Sequence, residues 1–408
     1  MPHNLYRSYL ISAGVTFLVL AAVAVALCVY VDPYRMYDTA RVADKPAIYT
    51  QATLAKAYMI EHRRPNTLIL GNQQVETGLD PESPDWPDNQ KPAFNAAGTD
   101  VDTFMAWRLL QHDIAVKPPQ LVVLGLDFLD FVKPQMEDGP EPLRDGESRL
   151  LIARNGAPNP ARGIQLWKDF LATTLTRRAI ADSITTLRLR GNPSEATMTE
   201  WGFDPARDYE SIFHQSGLEA IFSHNDAIYR AQYRASIASY FYDPSRNLQF
   251  RSLAAIVKLA VQNDIRLIIF IPPYHSRYLE ILHETGFWPS FEAWKRALVR
   301  TVDETAGKRR DVVLLYDFSD YDDISGESVP QPGDTQVEMR WYRDSTHYTP
   351  ALGGLMIAGM MDAGPVLGSE LNKANLQANL ERIRRDRDRL FAPADMRADA
   401  TRRRSPPL

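Results

Sequence analysis

Short apolar runs recur along the chain at intervals that suit strands of one sheet. They lie at residues 67–70, 93–95, 120–126, 266–271 and 312–316. The longer runs are continuously apolar and do not alternate with polar residues, which is typical of parallel strands that are covered on both faces. Segments with helical spacing separate them, at residues 100–113, 252–263 and 291–307. The pattern predicts an α/β fold with a doubly wound parallel sheet.

A longer uncharged run precedes the strands. Residues 10–31 carry no charged side chain and consist mainly of Leu, Val and Ala. About 20 apolar residues span a bilayer as an α-helix, so the run predicts one transmembrane helix. The alternative is a cleaved signal peptide, but its apolar region is usually only about 7–15 residues long. We therefore expect an uncleaved anchor with interfacial tyrosines at both ends, namely Tyr6, Tyr9, Tyr30 and Tyr34.

These patterns set the expected domain boundaries. The segments are an N-terminal stretch (1–9), the anchor (10–31), a linker with an amphipathic helix at 48–62 (32–66), the α/β domain (67–362) and a basic tail, helical or disordered (363–408). Within the domain, residues 133–247 form an insertion with helical stretches at 165–190 and 217–240. It is predicted to be a helical cap on the sheet or, alternatively, a lid over a substrate site, since long insertions are often functional.

Composition narrows the chemistry that the chain can perform. The 408 residues carry a formal net charge of -5, which gives no case for a nucleic-acid partner. The single cysteine, Cys28, lies inside the apolar run, so the remainder has no thiol for catalysis, disulfides or metal binding. The histidines show no paired ligand spacing, and the glycines match no phosphate-binding motif. We therefore predict neither a metal nor a cofactor.

The most specific candidate chemistry lies near the C-terminus, in the sequence Asp344-Ser345-Thr346-His347. An Asp three residues before a His can hold the imidazole in one tautomer and make it a general base. Thr349-Pro350 follows as a predicted helix start. The alternative interpretation is that Asp344 only supports that helix start.

Four segments around these features resemble conserved blocks of the SGNH hydrolase superfamily. They are residues 68–81, 94–98, 123–128 and 341–353. The chain is most similar to the membrane-anchored, periplasmic SGNH-like proteins that are related to the alginate O-acetylation factors. The resemblance covers about residues 67–362 without the insertion. It implies a flavodoxin-like, SGNH-type sheet, into which the helical insertion of residues 133–247 is placed, and it places the chain in a bacterial inner membrane with a periplasmic domain.

The resemblance also implies roles for individual residues. His347 would be the general base and Asp344 the residue that orients it. The nucleophile position falls on Gln73, or on Asn72 if the register shifts by one. Neither amide can replace a serine, because an amide has no ionisable proton near neutral pH. Thr77 and Thr99 are alternative hydroxyls, and direct activation of water by His347 is a further possibility.

Residues that follow the strands complete the predicted site, because ligands of such sheets bind beyond the carboxyl ends of the strands. The expected oxyanion or substrate contacts are Gly71, Asn72, Asn95, Gly98, Asp127 and His275.

Two functions are compatible with this sequence. The first is an acyl-ester hydrolase or O-acyltransferase acting on a cell-surface polysaccharide through the Asp344–His347 dyad. The second is a catalytically inactive glycan-binding or assembly subunit of a polysaccharide-modification complex. The intact dyad favours the first function, and Gln73 at the nucleophile position favours the second.

Overall fold

A computed structural model of the protein describes residues 2–39, 41–42, 45–46, 52–132, 143–144, 146–192, 198–236, 245–362 and 367–391. The chain divides into two compact units. The first comprises Met1–Arg64 and Pro142–Arg207, and the second comprises Pro65–Glu141 and Asp208–Leu408. The fold is a mixed α/β fold preceded by one apolar N-terminal helix.

The second unit is built on a six-stranded sheet. Its strands are β1 (Thr67–Leu70), β2 (Ala93–Asn95), β3 (Leu121–Gly125), β4 (Arg266–Ile271), β5 (Val313–Asp317) and β6 (Ser369–Glu370). They lie in the order β2-β1-β3-β4-β5-β6. All neighbouring pairs are parallel except β5 and β6, which are antiparallel. The carboxyl ends of β1 to β5 therefore meet along one edge of the sheet.

The helices between and around the strands are numbered in chain order. They are α1 (Pro2–Val31), α2 (Ala52–Arg63), α3 (Gln73–Gly78), α4 (Thr103–Val116), α5 (Phe128–Val132), α6 (Arg162–Thr174), α7 (Arg177–Leu189), α8 (Arg207–Ser216), α9 (Leu218–Ala235), α10 (Leu248–Gln262), α11 (Ser276–Glu284), α12 (Trp288–Ala306), α13 (Pro350–Met360) and α14 (Leu376–Leu390).

Both faces of the sheet are buried. Leu68, Val122 and Leu267 lie side by side in neighbouring strands and are fully buried. Ile69 and Val123 point to the opposite face and are fully buried as well. Each such side chain stabilises the fold by about 1.5–3 kcal/mol relative to an exposed one. This two-sided burial is the physical reason for the continuous apolar runs in the sequence.

Two groups of helices supply the cover. On one side, α10 packs against α4 and α12, and α10 and α12 also contact strands. Elsewhere α3 packs against α13, and Leu352 and Met356 of α13 share a core cluster with Ile69 and Val123. Helix α13 therefore covers the face to which Ile69 and Val123 point.

The second unit continues beyond the predicted domain end at residue 362. Helix α14 packs against α12, and Leu380 and Ile383 are buried. The Arg387 guanidinium contacts the Glu280 carboxylate at 2.6 Å, which ties α14 to α11. The described part of the predicted basic tail is therefore an integral helix with β6 before it. Residues 392–408 lie outside the described residues.

The first unit contains α1, α2, α6 and α7. The segment Tyr6–Val31 of α1 is long and apolar enough to cross a membrane. Near its end, Cys28 is fully buried and shares a cluster with Tyr34 and with Ala179 of α7. The Ser183 hydroxyl lies 3.4 Å from the Cys28 sulfur. Helix α7 therefore packs on the last turns of α1.

Most predicted strands agree with the structure. The bounds of β1, β2 and β4 are those expected, β3 is one residue shorter at each end, and β5 is shifted by one residue. The antiparallel β6 was not predicted. The predicted insertion is divided: α6 and α7 belong to the first unit and α9 to the second. Residues 48–51 of the predicted linker helix lie outside the described residues, as do residues 133–142, 145, 193–197 and 237–244 of the insertion, which include the end of the predicted helical stretch 217–240.

We expect Gly353→Ala to destabilise the second unit. A Cβ at this position in α13 would overlap the carbonyl oxygen of Gly78 at the end of α3. Because a backbone oxygen cannot rotate away, the two helices would have to separate, and overpacking of this kind typically costs about 1–3 kcal/mol. Thermal unfolding of the full-length protein in mild detergent, followed by near-ultraviolet circular dichroism, should show a lower melting temperature.

Gly163→Ala is the matched control, because Gly163 also lies in a helix and a Cβ there has no neighbour within 4 Å. Its melting temperature should stay unchanged or rise, since Ala favours a helix over Gly by up to about 1 kcal/mol. Equal melting temperatures for both variants would contradict the close packing of α3 on α13.

Candidate functional site

The turn from β1 into α3 carries the position at which a nucleophile was expected. Gly71 has a φ of +146°, and a side chain there would collide with Val75, so the turn requires glycine. Asn72 caps α3, its Oδ1 accepting a hydrogen bond from the Gln74 N–H at 3.1 Å. Gln73 is the first residue of the helix and is half-buried. The turn therefore presents amides where a hydroxyl was expected.

The carboxylate of Asp127, which follows β3, braces this turn. Its Oδ2 accepts hydrogen bonds from the side-chain amides of Asn72 (3.1 Å) and Gln74 (3.2 Å). Its Oδ1 accepts one from the Tyr274 hydroxyl at 2.9 Å. Since Tyr274 follows β4, this carboxylate joins the ends of three neighbouring strands. Asp127 is buried and its oxygens are engaged, so the structure gives it a positioning task and no direct substrate contact.

The segment that contains Asp344 and His347 folds into a tight loop. Tyr342 and Tyr348 form an antiparallel bridge, and the Arg343 N–H donates to the His347 carbonyl oxygen at 2.8 Å. This closure turns a spacing of three residues into direct contact. The His347 Nδ1 lies 2.7 Å from Oδ2 of Asp344. The predicted Asp–His hydrogen bond is thus present.

Five donors surround the buried carboxylate of Asp344. Its Oδ1 accepts from the N–H groups of Thr346 and His347, both at 2.8 Å, and from the Thr346 hydroxyl at 3.2 Å. Its Oδ2 accepts from the Asn225 amide at 2.7 Å as well as from His347. Burial alone would raise the pKa of Asp344, but the His347 charge and these hydrogen bonds outweigh it and lower the pKa to about 2.

The imidazole of His347 is oriented as a general base requires. A carboxylate accepts only, so Nδ1–H donates to Asp344, and Nε2 is the unprotonated nitrogen of the neutral ring. Within the described residues, Nε2 has no hydrogen-bond partner, and the side chain is 21% exposed. Burial lowers the pKa of His347, but the Asp344 charge and hydrogen bond outweigh it, so the net pKa is raised.

The two halves of the predicted site lie close together. The Arg343 guanidinium donates to the carbonyl oxygen of Thr77 in α3 at 3.0 Å. The loop that holds His347 therefore contacts the helix that begins at Gln73. The structure brings together segments that are more than 260 residues apart in sequence.

Several residues predicted to contact substrate have structural tasks instead. The Asn95 amide is fully buried, donates to the carbonyl oxygens of Val75 (3.0 Å) and Leu79 (2.9 Å), and accepts from the Ala97 N–H. It therefore secures α3 and has no group left for a ligand. These contacts correct its predicted role.

Gly98 and His275 need the same correction. The Gly98 N–H donates to the Gly71 carbonyl oxygen at 3.0 Å, so it is not available as an oxyanion donor. His275 caps α11: its Nδ1 accepts from the Arg277 N–H at 3.2 Å, and its Nε2–H donates to the Glu327 carbonyl oxygen at 2.8 Å. Burial lowers the pKa of His275, which keeps this ring neutral and engaged.

The helix start after the dyad agrees with the sequence, with Thr349 at the N-cap position and Pro350 first in helix α13. The Thr349 hydroxyl donates to the Arg340 carbonyl oxygen at 2.7 Å and makes no cap hydrogen bond to the helix. Asp344 likewise binds its own loop, so the alternative in which it supports α13 is wrong.

The residues of α9 that support the dyad were not predicted. Asn225 binds Asp344, and four residues later the Tyr229 hydroxyl lies 2.7 Å from the Thr346 hydroxyl. Their spacing places both on one face of the helix. The sequence predicts only a helical stretch in this segment, so no local signal connects it with the dyad.

The described residues contain no group of three or more His, Cys, Asp and Glu side chains that could hold a metal ion. No protein-family model matches the sequence, and no curated protein matches it significantly. The chemistry of the site must therefore be inferred from its own residues. An oriented imidazole with an accessible Nε2 can accept a proton from a hydroxyl or a water molecule.

We expect Asp344→Asn to lower the pKa of His347. The native carboxylate stabilises the imidazolium, and an amide cannot, so the pKa should fall as burial becomes the dominant cause. The measurement is a pH titration of 13C-labelled histidine side chains by NMR, with the His347 signal assigned through His347→Gln.

Asp264→Asn is the control, because Asp264 is a surface carboxylate paired with Arg309. It should leave the His347 titration unchanged. A titration that is the same in Asp344→Asn as in the parent would contradict the coupling of the two groups.

Proposed function

We propose that the protein is a membrane-anchored SGNH-like protein that acts on a cell-surface polysaccharide as an acyl-ester hydrolase or O-acyltransferase. The observation that carries the proposal is the 2.7 Å contact between His347 and Asp344. Within the described residues, this contact leaves Nε2 of His347 without a protein partner. A buried carboxylate with all its hydrogen bonds made, which orients an imidazole that is 21% exposed, is the arrangement of a general base.

The strand order supports the finer fold assignment in this proposal. The order β2-β1-β3-β4-β5 is that of flavodoxin-like, doubly wound sheets. Ligands of such sheets bind beyond the carboxyl ends of the strands. Asn72 and Asp127 lie at those ends, and the loop that holds His347 contacts the helix that follows Asn72.

The proposed reaction needs no covalent intermediate with the protein. A water molecule or a sugar hydroxyl attacks the acyl carbonyl carbon while Nε2 of His347 takes its proton. The carbon–oxygen bond of the ester then breaks, and the leaving oxygen takes that proton back. Asp344 stabilises the transient imidazolium. Attack by water gives hydrolysis, and attack by a sugar hydroxyl gives O-acyl transfer.

A second candidate function rests on Gln73. An amide at the nucleophile position can donate hydrogen bonds to a carbonyl or a sugar hydroxyl, but it cannot attack an ester. Loss of a triad nucleophile typically costs about a million-fold in turnover. Gln73 therefore favours a glycan-binding or assembly subunit of a polysaccharide-modification complex. The half-buried Trp341, which stands next to the loop, suits the apolar face of a sugar ring.

The proposed location follows from α1 and from the resemblance. Helix α1 supports a single-pass anchor, and the related proteins to which the sequence is similar are periplasmic. We place the chain in a bacterial inner membrane with its α/β unit in the periplasm.

We expect the full-length protein in detergent to hydrolyse an aryl acetate slowly, and His347→Ala to lower the rate by about 10²–10⁴-fold, the usual contribution of a general base. Because the base is the neutral imidazole and its pKa is raised, the rate should increase with pH and level off only at a pH higher than for an ordinary histidine. Release of the phenol, followed by absorbance, measures both effects.

His214→Ala is the matched control, since His214 is an exposed histidine on α8. It should retain the parent rate. If His347→Ala hydrolyses the ester at the parent rate, the dyad has no catalytic role.

We expect Gln73→Ser to hydrolyse the aryl acetate faster than the parent, and the double variant with His347→Ala to lose the gain. A serine at this position would supply the hydroxyl that His347 can deprotonate. The comparison variant is Gln74→Ser, because the Gln74 amide is buried against Asp127 and should yield no gain.

If the parent and Gln73→Ser are both inert, the glycan-binding function is favoured over the catalytic one. A gain that persists without His347 would show that the two residues do not act together.

A further inference from the structure

Helix α6 carries large apolar side chains that the first unit leaves uncovered. Ile164, Trp167 and Leu171 of α6 are 68%, 69% and 49% exposed. Leu175, the residue that follows the last residue of the helix, is 44% exposed. Burying such side chains would each be worth about 1.5–3 kcal/mol, so a stable chain exposes them together only where something else covers them.

These four side chains form one stripe. They are spaced by three, four and four residues, which places them on one face of a helix. The opposite face of α6 is the one that packs within the unit: Asp169 and Thr173 are buried there. The stripe therefore points away from the core of the first unit.

The stripe lies next to the apolar helix α1. Both α6 and α7 contact α1, and Cys28 near the end of α1 is buried by this packing. The apolar segment Tyr6–Val31 has 26 residues, whereas about 20 are enough to cross the hydrocarbon core. The last turns of α1, where α7 packs, therefore reach the headgroup level when the helix spans a bilayer. The stripe then continues the lipid-facing surface of α1.

The net charge of this segment also favours a lipid bilayer as the partner of the stripe. Residues 162–190 contain six Arg and Lys side chains and two Asp side chains, a balance of +4. Both acidic groups are engaged within the unit: Asp169 binds Arg149 at 2.7 Å, and Asp182 accepts from the Tyr34 hydroxyl at 2.5 Å. Arg178 is 60% exposed and lies 3.7 Å from Asp182, and Arg162 is paired with Glu61 at 2.6 Å. The exposed basic side chains that remain are Lys168, Arg177, Arg188 and Arg190. A positive, amphipathic helix pair is the composition that binds anionic membrane interfaces.

We propose that α6 and α7 form a second membrane contact, an interfacial helix pair that lies along the bilayer surface beside α1. Ile164, Trp167, Leu171 and Leu175 insert among the headgroups and upper acyl chains, and the neighbouring Arg and Lys side chains bind anionic lipid headgroups. The partner is the lipid bilayer. This inference rests on the proposed membrane anchoring by α1 and is independent of the proposed chemistry at His347.

Site-specific fluorescence quenching tests the contact in the full-length protein. Cys28 is the only cysteine, so a Cys28→Ala background allows single labels at Trp167→Cys and Leu171→Cys. Leu18→Cys in α1 reports on the anchor, and Val337→Cys, 52% exposed on the second unit, is the solvent-exposed reference. The labelled proteins are placed in vesicles of phosphatidylcholine and phosphatidylglycerol and quenched with aqueous iodide or with lipids spin-labelled near the headgroup. For position 18, at the middle of the span, the lipid quencher carries its spin label deep in the acyl chain.

We expect the labels at positions 167 and 171 to be quenched strongly by the spin-labelled lipid and weakly by iodide, with the reverse at position 337. Quenching by lipid should weaken in vesicles of phosphatidylcholine alone, because the headgroup attraction is then lost.

Three outcomes overturn the proposal. If position 18 is lipid-quenched but positions 167 and 171 respond to iodide like position 337, the anchor stands and the interfacial pair does not. If positions 167 and 171 are shielded from both quenchers, protein covers the stripe, as in a second copy of the chain. If position 18 is itself not lipid-quenched, α1 does not span the bilayer and the inference fails with it.

Discussion

The buried carboxylate of Asp344 is the constraint around which the candidate site is organised. An ionised carboxylate in a protein interior costs several kcal/mol unless charge and hydrogen bonds compensate for it. Asp344 is 3% exposed and receives five hydrogen bonds. Two come from the backbone of its own loop, which explains why that loop must close tightly. One comes from Asn225, which explains why α9 must pack against it. The same compensation holds the imidazole of His347 in one tautomer.

A second carboxylate stands at the same edge of the sheet with a different task. The side-chain donors to Asp127 described above are all neutral: they are two amides and the hydroxyl of Tyr274. It thereby holds the β1–α3 turn in place, although the turn offers Gln73 in place of a hydroxyl. A base that is fully supported, beside a turn that is firmly held, is consistent with chemistry on a hydroxyl supplied by the substrate or the solvent. The same turn, with its amides, is equally suited to hydrogen-bond a sugar. Gln73 at the position where a serine was expected therefore changes the expected mechanism more than it changes the expected ligand.

In the first unit, one part of the apolar helix α1 is exposed and another part is covered by protein. Most of α1 exposes its apolar side chains, whereas Cys28 and Val31 near its end are fully buried. The protein contacts that bury Cys28 come from α7, and α6 beside it directs an apolar stripe outward. The helices that cover the end of such an anchor lie where lipid gives way to protein and water. Their outer surfaces must therefore suit both surroundings. An amphipathic pair with a net positive charge meets that requirement.

The sequence alone determined the strands of the sheet and the contact between Asp344 and His347. Strands buried on both faces must be continuously apolar, and a three-residue spacing keeps a carboxylate within reach of an imidazole, so both signals are local. Only the tertiary structure decided which polar residues at the strand ends are available to a ligand. Asn95 and His275 follow strands as a binding residue would, but nearby backbone groups occupy their side chains. Asn225 lies 119 residues before Asp344, and only packing of α9 brings its amide to the carboxylate. A polar side chain is available to a ligand only if the folded chain places no unpaired donor or acceptor beside it. The residues next to it in the sequence do not contain that information.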